Sequence, residues 1–259
     1  MKIIDSHIHF DKYSSEERDM IINGLEKNRI AALIAVSMDL QSSQNTLILA
    51  EKHAKIIPAC GFHPEQPLPD EKEINKLFDW MEWNQEKFAA IGEVGLPYYS
   101  RKKNPEQFDR GVYMKLLERF VLLAKKWDKP IILHAIYEDT LSVCDLLETY
   151  GVEKAHFHWF KGDERVIDRL QSNGYYISIT PDVCYEKEIQ KIGKVFPLEK
   201  IMVETDGPWP FEGEFKDQMT NPSMIHRSIE TIASLKSLKK EAVYQAVFEN
   251  TKKFYQLNN

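Results

Sequence analysis

The sequence predicts a (β/α)8 barrel, regular or distorted, with helices added at its C-terminal end. Eight short apolar runs recur along the chain, amphipathic stretches separate them, and most runs are continuous rather than alternating. Strands covered on both faces in a parallel sheet read this way. Eight strand–helix units are the number that closes such a barrel. A doubly wound open sheet accommodates the same count, which does not by itself prove closure.

The first run, 2–9, leads into a helical pattern over 14–28, and the run 31–37 leads into one over 42–54. Runs 56–62 and 89–96 follow, with a helix expected over 74–84 between them. The stretch 107–126 carries the clearest helical stripe, in which Phe108, Val112, Leu116, Phe120 and Leu123 recur at spacings of three and four. Run 130–135 precedes a helix over 137–150, run 154–160 one over 164–173, and run 175–180 one over 185–196. After the last run, 201–206, two helices are expected, over 223–235 and 239–257. No Gly-x-Gly-x-x-Gly turn follows any run, which counts against dinucleotide binding.

The 259 residues are 43% hydrophobic and 29% charged, with no repeat, low-complexity tract or Gly/Ser linker, so one domain over 1–259 is expected. The chain opens on an apolar strand without a basic leader, and no apolar stretch reaches membrane-spanning length. Cys60, Cys144 and Cys184 are odd in number and far apart, which argues for a reducing compartment and a cytoplasmic location. The net charge of −6 speaks against long-range capture of nucleic acid by a basic face. Basic clusters at 101–103, 125–126 and 239–240 read as ordinary surface. No heptad seam or other sign of an obligate protein partner is present.

The chemistry gathers at the ends of the runs. His7 and His9 close the first, and Glu93, His134, His158 and Asp206 stand at the ends of later ones. Strand residues i and i+2 point the same way, so His7 and His9 can grip one cation together. In a parallel barrel all the carboxyl ends open on one face. Four imidazoles and two carboxylates converging there have the composition of a binuclear site for Zn, Mn or a similar divalent ion. Two such ions can hold a hydroxide and stabilise the attacking and leaving oxygens together. The period of two also puts Asp5 near His7, Glu204 near Asp206 and His156 near His158, where each could orient a ligand's second nitrogen.

The segments Ile-Asp-Ser-His-Ile-His-Phe, Gly-Phe-His-Pro-Glu, Ile-Gly-Glu-Val-Gly-Leu-Pro-Tyr-Tyr, Pro-Ile-Ile-Leu-His-Ala, His-Trp-Phe-Lys-Gly and Val-Glu-Thr-Asp-Gly-Pro-Trp occur in this order over nearly the whole chain. In these the chain resembles the TatD family of metal-dependent hydrolases, within the amidohydrolase-like barrels. The resemblance implies that His7, His9 and Asp206 hold one metal, that His134 and His158 hold the other, and that Glu93 bridges. It implies two divalent ions (Zn, Mn or Mg) and hydrolysis of a phosphoester, with a nucleic-acid end or a nucleotide-like molecule as substrate. Asp206 and Glu93 are the expected catalytic residues. The family's members are typically nucleases, and some act on aminoacyl-tRNA esters.

Three positions depart from the family's pattern. Pro97 stands where an aspartate is usual, Ile136 where an arginine follows the strand-end histidine, and Gly207 where a serine precedes proline. Isoleucine cannot supply arginine's bidentate clamp on a phosphate. A metal-dependent esterase, lactonase or amidase on the same barrel is therefore the alternative function. His63 is the expected substrate or leaving-group contact, and Lys161 a replacement for part of the lost positive charge. Trp159, Trp209 and Tyr98 are candidate stacking platforms.

Overall fold

Every apolar run forms a strand, and every strand is shorter than its run. The strands are β1 (Ile3–Ile8), β2 (Ile30–Ala35), β3 (Ile56–Cys60), β4 (Ala90–Gly95), β5 (Ile131–His134), β6 (Ala155–Phe157), β7 (Tyr176–Ile179) and β8 (Ile201–Val203). The structure is a computed structural model describing residues 1–257; the last two positions of the expected 1–259 domain lie outside the described residues. All eight strands are parallel and lie side by side in sequence order.

The barrel closes at its carboxyl rim. The backbone N–H of Asp206 donates to His7 O at 2.9 Å, and that of His9 donates to Gly207 O at 2.8 Å. Beneath them Asp5 accepts the N–H of Thr205 at 3.0 Å and its hydroxyl as well. His9, His158 and Asp206 lie just beyond their strands, where the backbone leaves the ladder and side chains turn over the barrel mouth. At Gly95 on β4 a Cβ would stand 2.0 Å from His134 O, so only glycine lets β4 and β5 approach this closely.

The helices begin where a side chain can satisfy their free N–H groups. Ser14 and Glu17 form a reciprocal capping box at α1 (Ser15–Gly24). Asp39 caps α2 (Leu40–Lys52) and Asp70 caps α3 (Glu71–Trp83). These caps start both helices earlier than the apolar pattern does. Asp109 caps α5 (Arg110–Trp127), later than the expected 107. The short α4 (Tyr98–Lys103) is not foreseen from the sequence, because two tyrosines, a serine and three basic residues carry no apolar period. The remaining helices are α6 (Glu138–Tyr150), α7 (Glu164–Ser172), α8 (Lys187–Val195), α9 (Ile225–Lys236) and α10 (Lys240–Tyr255).

Alternation along the strands separates two cores. Ile4, Ala32, Ile34, Ala90, Ile132, Tyr176 and Met202 form an inner cluster with Phe254 and Tyr255 of α10. Outward residues such as Leu33, Ile91, Leu133, Phe157 and Ile177 pack against the helices. No helix among the described residues is long and apolar enough to cross a membrane. The outer core is tested at Phe120, which is buried and stacks on Phe78 with ring centroids 4.7 Å apart. Phe120→Ala is expected to cost about 3–5 kcal/mol in chemical denaturation while leaving metal uptake intact. A loss below about 1 kcal/mol would show that the helix–sheet contact relaxes around the gap.

Candidate metal centre

Glu93 lies at the centre of the barrel mouth, fully buried, and its two oxygens face different partners. Its Oε2 lies 3.1 Å from His7 Nε2 and 3.2 Å from His9 Nε2. Asp206 Oδ1 completes this side, 3.2 Å from His7 Nε2 and 3.4 Å from His9 Nε2. Glu93 Oε1 lies 2.6 Å from His158 Nε2 and 2.8 Å from His134 Nδ1, and these two nitrogens are 3.1 Å apart. The six strand-end residues singled out in the sequence are thus brought together in one place.

The chemistry of the first group fits a cation. His7 Nε2, His9 Nε2, Glu93 Oε2 and Asp206 Oδ1 are buried, and none makes a well-formed hydrogen bond among the described residues. Orphaned polar atoms are costly inside a protein unless something pairs with them. Ligand atoms about 2.1 Å from a shared cation stand about 3.0–3.4 Å apart along the edges of an octahedron or tetrahedron. The observed spacings match such a shell. Electrostatics agree: burial opposes the charge on Glu93, yet His158, His63 and His7 hold it well below the usual carboxylate range. Asp206 is likewise held low, with burial opposed by His7 and His9.

Of the second-layer expectations, Glu204 is met in part. Its Oε1 lies 3.6 Å from His158 Nδ1 and accepts the backbone N–H of Trp159 at 2.7 Å. Asp5 instead holds two backbone amides, those of His7 and Thr205. The register of β1 slips between Asp5 and Ile8, so the simple period of two fails there. His156 contacts Tyr255 and Ser178 rather than a neighbouring imidazole.

Beside the donors opens a cavity of about 510 Å³, walled by His63, Tyr99, Lys103, Ile136, Trp159 and Trp209, with Glu65 and Ser100 between them. Trp159 is fixed by its indole N–H, which donates to the buried Asp182 at 2.6 Å. His63 reaches the site as expected, its Nε2 3.5 Å from Glu93 Oε1. Lys161 does not line this cavity. Its ammonium donates to the Tyr99 hydroxyl at 3.2 Å and stands 5.0 Å from the Trp159 ring, bracing the aromatic wall from outside. The wall's cation is Lys103, and its tyrosine is Tyr99 rather than Tyr98, which packs on Tyr137. Both Lys103 and Tyr99 belong to the unforeseen α4, so no strand-end rule could have found them. Glu65 was visible only as part of Gly-Phe-His-Pro-Glu. Gly207 also finds its reason: a Cβ there would lie 1.8 Å from the Tyr13 hydroxyl oxygen, so the family's usual serine does not fit.

The family model described as TatD related DNase matches residues 4–256. An uncharacterized metal-dependent hydrolase of Haemophilus influenzae is 39% identical, with 98% of this chain and all of the relative covered. The human deoxyribonuclease TATDN3 is 28% identical over 98% of this chain and 94% of its own. The crystal structure of YjjV, a TatD homolog of Escherichia coli, superposes with a TM-score of 0.86 at 24% identity, covering 99% of this chain and 98% of that one. With strand order, donor cluster and family match in agreement, the chain belongs to the TatD family and is a metal-dependent hydrolase.

Proposed function

We propose that this hydrolase cleaves phosphoester bonds at a nucleic-acid end or in a nucleotide-like molecule, as a deoxyribonuclease or exonuclease using two divalent ions. The observation that carries the reading is the two-sided environment of Glu93, whose oxygens face separate groups of imidazoles. His7, His9 and Asp206 would hold one ion, His134 and His158 the other, and Glu93 both. Such a pair, when bound, stabilises the attacking and leaving oxygens of an in-line displacement. The name of the human relative supports this substrate class.

The chain's own residues supply the rest. Asp206 borders both the donors and the cavity, so its ionised carboxylate is placed to take the proton of the attacking water. His63 Nδ1 accepts the N–H of Glu65 at 3.1 Å, which leaves the ring proton on Nε2. Burial, opposed by Glu93, lowers the His63 pKa to about 3, so this ring is a neutral donor for a substrate oxygen. Trp159, Trp209 and Tyr99 offer faces to a base, and Lys103 a charge to a phosphate.

One observation favours a second reading. Ile136, where the family pattern has arginine, is buried on the cavity wall, and Lys103 is the one lysine or arginine among the lining residues. A carboxylic ester needs less positive charge than a phosphodiester, so an esterase, lactonase or amidase remains the alternative. The three cysteines are all free, which supports a reducing, cytoplasmic setting.

Turnover by metal-stripped protein, reloaded with Mn, Mg or Zn, separates the readings. A 3′-labelled single-stranded oligonucleotide is expected to lose nucleotides, and Asp206→Asn or Glu93→Gln to lower the rate by roughly 10²–10⁴-fold. Hydrolysis of an aryl ester alone would transfer the assignment to carbonyl chemistry. Asp182→Ala, which frees the Trp159 indole, is expected to raise KM for the oligonucleotide roughly 5–10-fold with kcat little changed. An unchanged KM would remove Trp159 from substrate binding.

The metal reading also predicts a pH signature. Burial alone would lower the His9 pKa, but Asp206 and Glu93 raise it from 6.5 to about 9. A raised folded pKa stabilises fully below the unfolded value and less as pH climbs through the folded one. Metal-stripped protein should therefore lose thermal stability between about pH 6.5 and 9. Added Zn should flatten this slope, because it binds neutral imidazole and displaces the protons. An unaltered slope after Zn addition would argue that His9 is not a ligand.

A further inference from the structure

Glu65 makes a set of contacts that the reaction outlined above leaves unexplained. It lies in the loop after β3, on the cavity wall, with its side chain about one-eighth exposed. Its carboxylate meets His134 Nε2 at 3.2 Å through Oε1. The same carboxylate accepts the backbone N–H groups of Tyr99 at 2.8 Å and Ser100 at 2.6 Å. Its own backbone N–H donates to His63 Nδ1. One residue therefore touches two imidazoles of the site and the helix that carries Tyr99, Ser100 and Lys103 into the cavity.

A neutral imidazole has one proton, and each of these bonds decides where it sits. On His134 both ring nitrogens face carboxylates, and Glu65 at Nε2 competes with Glu93 at Nδ1 for the proton, favouring the tautomer whose Nδ1 lone pair a cation would need. On His63 the donor at Nδ1 does the reverse and leaves Nε2–H pointing into the site. The two rings stand side by side, with centroids 5.2 Å apart, yet one is set to offer a lone pair and the other a proton. We propose that Glu65 is a positioning residue that sets these opposite tautomers and ties them to the cavity helix α4. Carboxylates behind ligand histidines characteristically orient them in this way. The coupling to α4 is particular to this arrangement, since the far side of that helix is held independently. Arg101 bonds the buried Asp139 at 2.9 and 3.2 Å, and Arg110 joins it at 2.8 Å.

The proposal rests on His134 being a metal ligand, and the test separates the two ideas. Full-length metal-stripped protein is titrated with Zn²⁺ by calorimetry, and ring ¹⁵N spectra report histidine tautomers before metal is added. KM and kcat are measured on a generic phosphodiester. Glu65→Ala is expected to weaken Zn²⁺ binding by roughly 10–100-fold, to raise KM, and to mix the tautomers of His134, while His63, which accepts the backbone N–H of residue 65, keeps its own. Glu65→Gln, nearly isosteric, keeps the fold while offering a poorer acceptor, and should show a smaller loss of the same kind. Arg101→Ala loosens α4 from its other side and should raise KM while leaving Zn²⁺ affinity within about twofold of the parent. Parental Zn²⁺ affinity and an unmixed His134 tautomer in both folded Glu65 variants would overturn the proposal alone. A parent protein that takes up no Zn²⁺ would overturn the metal reading first, and this proposal with it.

Discussion

A carboxylate with no access to water, set among imidazoles, is the constraint on which this structure turns. Burying an ionised Glu93 alone would be prohibitive. Its charge survives because nitrogens of His7, His9, His134 and His158 stand within 2.6–3.2 Å of its two oxygens. Those four histidines come from three separate regions of the chain, so the charge is satisfied only when the β1, β4, β5 and β6 segments are all in place. Fold and site are thus one electrostatic problem with one solution.

The seam of the barrel makes that solution possible. Where β8 meets β1 the two backbones exchange hydrogen bonds through Asp206, His7, His9 and Gly207, each a ligand candidate or the neighbour of one. Closing the sheet and assembling the first donor group are therefore the same event. Tyr13 adds a packing constraint at this point. Its hydroxyl, bonded to Thr220 O at 2.9 Å, occupies the space a side chain at 207 would need. This departure from the family's pattern is a consequence of packing.

Beyond the donors, the wall of the cavity carries the chain's individuality. Loops after the strands supply Trp159 and Trp209, and the short α4 supplies Tyr99 and Lys103. Buried acids fix these groups rather than leaving them as mobile surface: Asp182 holds the indole of Trp159, and Asp139 holds Arg101 on α4. The metal-dependent hydrolase core is shared with relatives across bacteria and eukaryotes. The wall carries Ile136, on which the phosphoester and carboxylic-ester proposals part.

The sequence by itself determined the order of strands and helices and the six residues of the donor cluster. Strands buried on both faces must be continuously apolar, and a strand-end ligand interrupts that run where it can be seen. The caps Asp39, Asp70 and Asp109 instead set helix starts that the apolar period misplaces by less than one turn. Tertiary structure alone decided closure, since a count of units is the same for an open sheet. It also decided which lysine and which tyrosine face the cavity, because α4 has no apolar period and is held by Glu65 in the loop after β3 and by Asp139 in the first turn of α6. The β1 slip that moves Asp5 off its expected role is likewise invisible in a pattern of two. Local periodicity records what each element buries, whereas the partners of a polar side chain depend on where the closed barrel brings the loops together.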